Sequence, residues 1–403
     1  MEKFPKAFLL GAATAAHQVE GNNIYSDAWA EEQMKHSTYL EPSGAALDHY
    51  HRYEEDIRLM SKAGLNAYRF SIEWARIEPQ EGIFSPDEIE HYRKVISCCR
   101  ENGLEPIVTL LHFTSPKWLI SRGGWESDAA VAYFVRYVRY VMEQLGEDIT
   151  YVCTINEANI GLEIASIAKR YAQAMQAAMQ NPDSVQMGLN LKKMMENQKA
   201  AAKEIQTVFG VAKAEGFCKP RTVHGDEIIM AAHQAARTVI REICPHAKVG
   251  LTLSLHDIQT VPGGEELAAQ KWELEFRHYL PAIRDDDFLG VQNYTRSVIG
   301  PGGELPVPEG AETTQMDYEY YPQGLVHVLR YSYTLLLPKG CGNGHFGNLR
   351  HFPKWHCNPA KAKWYALLCL KGISPIMSHC STISTRKVAA ITSKLAHPVE
   401  IFA

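Results

Sequence analysis

One motif recurs along the chain: a short run of continuous apolar residues, then an amphipathic segment, then another apolar run. The runs are AFLLGA (7–12), AYRFSI (67–72), PIVTLLH (106–112), ITYVCTI (149–155), KVGLTLS (248–254) and DFLGVQNY (287–294). A strand that is apolar without alternation is buried on both faces, which is the condition of a parallel sheet covered by helices. The intervening segments carry helix signals. HRYEEDIRLMSKAG (51–64) ends at a glycine. SPDEIEHYRKVISCCRENG (85–103) opens on a serine cap with acids in its first turn and also ends at glycine. Further helices are expected across 128–145, in several pieces from about 160 to 243, and near 264–280.

Such an alternation suits an open doubly wound sheet or a barrel, and the polar residues decide between them. Arg69, His112, Asn156, Glu157, Asn293 and Tyr294 lie within or just past strand C-termini, where barrel enzymes place their chemistry. An open sheet would carry a Gly-rich phosphate loop after its first strand, and none is present. The expected fold is therefore α/β, a (β/α)8 TIM barrel that is incomplete, with six recognisable strands over residues 1–335.

The remainder, 336–403, is of a different kind. From Lys339 onward the only acidic residue is Glu400, against nine Lys or Arg and four of the nine cysteines. Neither a strand nor a helix period persists there. A frameshift, or an unrelated segment joined to a barrel fragment, would each produce this shift. Six strands of an eight-stranded barrel leave two unpaired edges. Either this tail covers them, with LLL (335–337) and WYALLCL (364–370) as apolar candidates, or a second copy of the chain does.

A net charge of −5 gives no electrostatic footprint for nucleic acid or an acidic membrane. No apolar run approaches membrane-spanning length, and the first residues lack a signal-peptide layout. Scattered cysteines without zinc-site spacing suit reduced thiols in a cytoplasm. No metal or organic cofactor is expected.

The amide–acid pair Asn156–Glu157, at the end of the fourth run, is the sharpest chemical signal. Cleaving a glycosidic bond needs one carboxylic acid to protonate the leaving oxygen and a second carboxylate as nucleophile or base. Burial at an apolar strand end would keep Glu157 protonated near neutrality. Asn156 beside it could bond a sugar hydroxyl. The plainer alternative is that both residues cap the following helix.

Several segments taken in order resemble glycoside hydrolase family 1, the β-glucosidase family, over roughly residues 4–335. They are FLLGAATAAHQVEG near the N-terminus, YRFSIEWARIEP (68–79), LLHFTSPKWL (110–119), GGW (123–125), INEAN (155–159) and DFLGVQNY (287–294). INEAN is similar to the family's T-x-N-E-P acid motif, with Ala158 in place of proline. The resemblance implies a β-glycosidase acting on the non-reducing end of small soluble β-glycosides. It makes Glu157 the general acid/base and Asn156 a partner of the sugar 2-hydroxyl. Gln18 and His112 would bind outer hydroxyls of the sugar. Arg69 and Tyr294 would flank the nucleophile, with Asn293 nearby.

The chain departs from the family where the nucleophile should be. No T-E-N-G motif is present; strand seven is expected to begin near YTLLLPKG (333–340), and no glutamate follows. Nothing around Glu400 resembles that motif. Glu20, Glu73 and Asp287 are acids that could face the pocket, each with a structural role as its plainer reading. Two outcomes stay open on these grounds: a glycosidase with impaired turnover, or an inactive relic that retains affinity for sugars.

Overall fold

The computed structural model describes residues 8–39, 41–169, 191–314, 318–336, 367–371 and 399–402. Six parallel strands form an arc: β1 (Leu9–Ala13), β2 (Ala67–Ser71), β3 (Glu105–Leu111), β4 (Tyr151–Ile155), β5 (Lys248–Ser254) and β7 (Phe288–Asn293). They pair in the order β1–β2–β3–β4–β5–β7. Each matches one apolar run of the sequence to within two residues at either end.

Two strands from the C-terminal segment complete the ring. β10 (Leu367–Lys371) runs parallel to β1, and β11 (Val399–Phe402) runs antiparallel to both β10 and β7. The result is a closed eight-stranded barrel whose last two positions depart from an all-parallel order. Both edges of the arc are thus paired by the chain's own tail. Glu400 falls opposite Gln292 in the β11–β7 register.

One expectation is corrected. YTLLLPKG does not begin a strand: Gln323–Leu336 is a helix, so Leu335 and Leu336 are helical. Its inward residues recur at helical spacing, with Leu325, Val328 or Leu329, Ser332 and Leu336 three or four apart, and Val328 is fully buried. Residues 337–340 lie outside the described residues.

Strand alternation explains both the core and the site. Tyr68, Phe70, Val108, Leu110, Val152, Leu251 and Val291 face the helix layer, where they join Ile89, Tyr92, Phe134, Tyr137, Val141 and Ile229 in one apolar cluster. Those helices run Pro86–Glu101, Ala129–Leu145 and Val223–Ile243. The opposite parity faces the ring interior. On one level of the ring it is apolar, with Ala13, Ala67, Ile107, Cys153 and Phe288 forming a separate cluster. Further along the same faces it turns polar: Arg69, Thr109, Thr252 and Gln292. A small sheet of β6 (Asp257–Thr260), β8 (Arg296–Gly300) and β9 (Gly303–Glu304) flanks the barrel. No helix among the described residues is long and apolar enough to cross a membrane.

Candidate active site

The polar layer converges on Asn156, fully buried just past β4. Its Oδ1 accepts from Arg69 Nη2 (2.8 Å), Gln292 Nε2 (2.6 Å) and Thr252 Oγ1 (3.2 Å). Three donors on one oxygen settle which end of the amide is which. The Nδ2 group is buried with no hydrogen-bond partner among the described residues, a donor open to a ligand acceptor.

Glu157 follows, 3% exposed, with φ of 45° in the left-handed region. That conformation costs a non-glycine residue roughly 1–2 kcal/mol and persists where the surroundings over-determine it. Here Glu157 N donates to Thr252 Oγ1 at 2.8 Å, Ala158 N to Thr252 O at 3.0 Å, and Ile160 N to Glu157 O at 3.0 Å. The Tyr294 hydroxyl donates to Glu157 Oε1. Arg69 Nε is bonded to Thr109 Oγ1 at 2.8 Å. Arg69, Asn156, Glu157 and Tyr294, expected together, are brought together. Tyr294 meets the acid itself, whereas the resemblance gave it to the nucleophile.

Asn293 lies elsewhere. Strand alternation sends it away from Gln292 and Tyr294, and its Nδ2 donates to the carbonyls of Leu255 (2.7 Å) and Thr295 (3.0 Å). In this position it ties loops together. Gln292 is the inward residue of this stretch. Gln18, exposed, and His112, 4% exposed, line a separate cavity of about 710 Å³ with Phe113, Phe217, Tyr39 and Lys219. The same cavity carries four carboxylates: Asp27, Glu31, Glu32 and Glu41. Burial, reinforced by the charges of Glu31 and Glu73, pushes Asp27 up to about 7. Trp118 and Trp125 serve the framework, donating from Nε1 to Glu78 O and Ser115 Oγ at 2.9 Å each.

The other candidate acids are structural. Glu20 takes Arg76 Nε at 2.9 Å and the Tyr92 hydroxyl, and burial pushes it up to about 7. Glu73 caps a helix and accepts from Thr114 Oγ1 at 2.7 Å. Asp287 accepts from Arg241 and from Val249 N. The sequence reading missed Glu163, on the helix after Glu157. Burial, with the charge of Glu275 adding, pushes it up to about 8. Glu163, His256 and Glu275 bring ligand-type atoms within 4.8 Å of one another. Lys271 Nζ already stands 2.9 Å from Glu275 Oε1 and supplies the cation there.

A buried acid and an oriented amide past the fourth strand of a (β/α) barrel match the acid half of a barrel glycosidase's layout. The comparisons agree. The model of glycosyl hydrolase family 1 matches residues 1–299. A beta-glycosidase of known structure, BGL167, is 43% identical and superposes with a TM-score of 0.72, covering 83% of this chain and 76% of that one. A beta-glycosidase from Pyrococcus horikoshii is 27% identical with a TM-score of 0.62, covering 83% and 74%. Among curated proteins, a 6-phospho-beta-galactosidase of Lacticaseibacillus casei is 27% identical over 366 residues, 81% of this chain and 75% of its own length. The chain belongs to glycosyl hydrolase family 1.

Proposed function

We propose that the chain is a β-glycosidase that binds the non-reducing end of small β-glycosides and protonates the departing oxygen from Glu157, with turnover impaired by loss of the family's nucleophile. The observation that carries this reading is the Asn156–Glu157 pair: a buried acid beside an amide whose one spare group, among the described residues, is a donor. The proton passes from Glu157 to the glycosidic oxygen as the C–O bond breaks, and a nucleophile must then take the anomeric carbon. Gln18 and His112, on the cavity they share, would hold outer hydroxyls. Its carboxylates favour a neutral sugar over a 6-phosphorylated one, because Lys219 is already paired with Glu31 at 2.5 Å. The thiols of Cys98, Cys99, Cys218 and Cys244, none in a disulfide, suit a cytoplasmic setting.

The test is turnover of a phenyl β-glucoside by the full chain, with and without azide, beside Glu157→Gln. Azide-dependent turnover that Glu157→Gln lowers by about 10²–10⁴ supports the reading. Equal turnover without azide, or loss of turnover in Glu400→Gln, overturns the missing nucleophile. Folded protein that neither turns over with azide nor binds a glucose-mimicking inhibitor by calorimetry overturns the glycosidase reading.

A further inference from the structure

We propose that Arg221 is a positioning residue for Glu157, holding the acid in its left-handed turn through the neighbouring carbonyl. The inference rests on the reading of Glu157 as the proton donor. Arg221 precedes the helix Val223–Ile243 and is far from Glu157 in sequence, yet its side chain is buried against the Glu157 turn. Nη1 donates to Ala158 O at 2.6 Å and Nη2 to Phe217 O at 3.2 Å, while the guanidinium carbon stands 4.7 Å from the centre of the Phe217 ring. The Arg221 backbone N–H donates to Gly161 O at 3.1 Å. The fit is tight: a Cβ at Gly161 would stand 2.6 Å from Arg221 Nε.

The peptide planes around the acid are thereby held from two sides, by Thr252 of β5 and by Arg221 ahead of the helix Val223–Ile243. Thr252 Oγ1 takes the N–H of Glu157, Thr252 O takes the N–H of Ala158, and Arg221 takes the carbonyl of Ala158. Without the last contact, Ala158 could rotate and let Glu157 relax toward an ordinary backbone conformation. The guanidinium is itself anchored. Asp226 Oδ1 lies 3.3 Å from Nη1 and accepts the Tyr279 hydroxyl at 2.5 Å, and Asp226 Oδ2 is 2.9 Å from His278 Nε2. A charged group with this many fixed partners holds a carbonyl more firmly than a neutral donor would.

The test uses leaving groups of different basicity. A dinitrophenyl glucoside departs with little help from the acid, and a phenyl glucoside needs its proton. With azide present, Arg221→Gln should lower kcat on the phenyl glucoside by roughly 10- to 100-fold. KM should stay within about twofold and the dinitrophenyl substrate should be nearly unaffected. Arg221→Lys should recover part of the loss. Equal losses on both substrates, or no loss at an unchanged melting temperature, overturn the proposal. Should Arg221→Gln fail to fold, Asp226→Asn gives a milder test, expected to show the same dependence on leaving group; a uniform loss overturns it too. If Glu157→Gln shows no such dependence, the reading of the acid has failed before Arg221 is reached.

Discussion

The barrel has two kinds of wall. In the six-strand arc every strand is parallel to its neighbours, and its interior residues pass from an apolar floor to a polar mouth. In the closing pair, β10 follows the arc's direction and β11 opposes it. At the mouth, Val399 at the start of β11 stands opposite Asn293 at the end of β7. Seven strands therefore present their C-terminal ends there and one presents its N-terminal end. Barrel catalysis draws on residues just past strand C-termini, so the antiparallel position is the one place where that supply is reversed. The proposed acid, Glu157, lies just past the first wall, and the second is built from the segment in which no T-E-N-G motif is present.

Matched insults to the two walls test whether they form one cooperative unit. Leu110→Pro and Ile401→Pro each remove a backbone N–H within a strand and should each cost about 1–3 kcal/mol or more, read as a shift of the urea midpoint. An unchanged midpoint for Ile401→Pro would show that the closing pair stands outside the cooperative fold. A smaller effect is expected from Gln292→Ala, which removes one of the three donors on Asn156. Binding of a glucose-mimicking inhibitor should weaken by roughly 1 kcal/mol, about fivefold. No change by calorimetry would mean that Arg69 and Thr252 suffice to orient the amide.

The smallest effect concerns pH. Asp27 and Glu20, pushed up to about 7, and Glu163, up to about 8, hold their protons more tightly in the fold than in the unfolded chain. Their contribution is full below the ordinary carboxylate range and is lost progressively as pH rises from that range to about 7–8. The melting temperature should therefore fall across that interval. Asp27→Asn should flatten the fall, and a slope as steep as the parent's would remove Asp27 from the account.

The arc was legible because its strands are apolar without alternation, and a polar residue that ends such a run stands out. Arg69, Asn156, Glu157 and Tyr294 were found on that signal. Gln292 carried one that went unread: it shares a strand face with Tyr294, two residues on, whereas Asn293 points the other way. Thr252 offered none, since threonine is ordinary in strands, and its role appears only once β5 lies beside β4. Arg221 sits between helices, where no period exists, and its partner Ala158 lies across the fold. The final leucines of the helix Gln323–Leu336 resemble a strand start when taken alone; the helical spacing of the residues before them is the signal that places them.

The saturation of Asn156 Oδ1 turns this residue into a one-way reader. An ordinary asparagine offers either a donor or an acceptor by flipping its amide, and so tolerates ligands of both kinds. With three donors pinning the oxygen, only the N–H group faces outward. On the proposed reading, a sugar atom lying there would be sensed only as an acceptor: a fluorine could weakly substitute for a hydroxyl, an ammonium group would be refused, and a deoxy carbon would leave a buried donor unanswered.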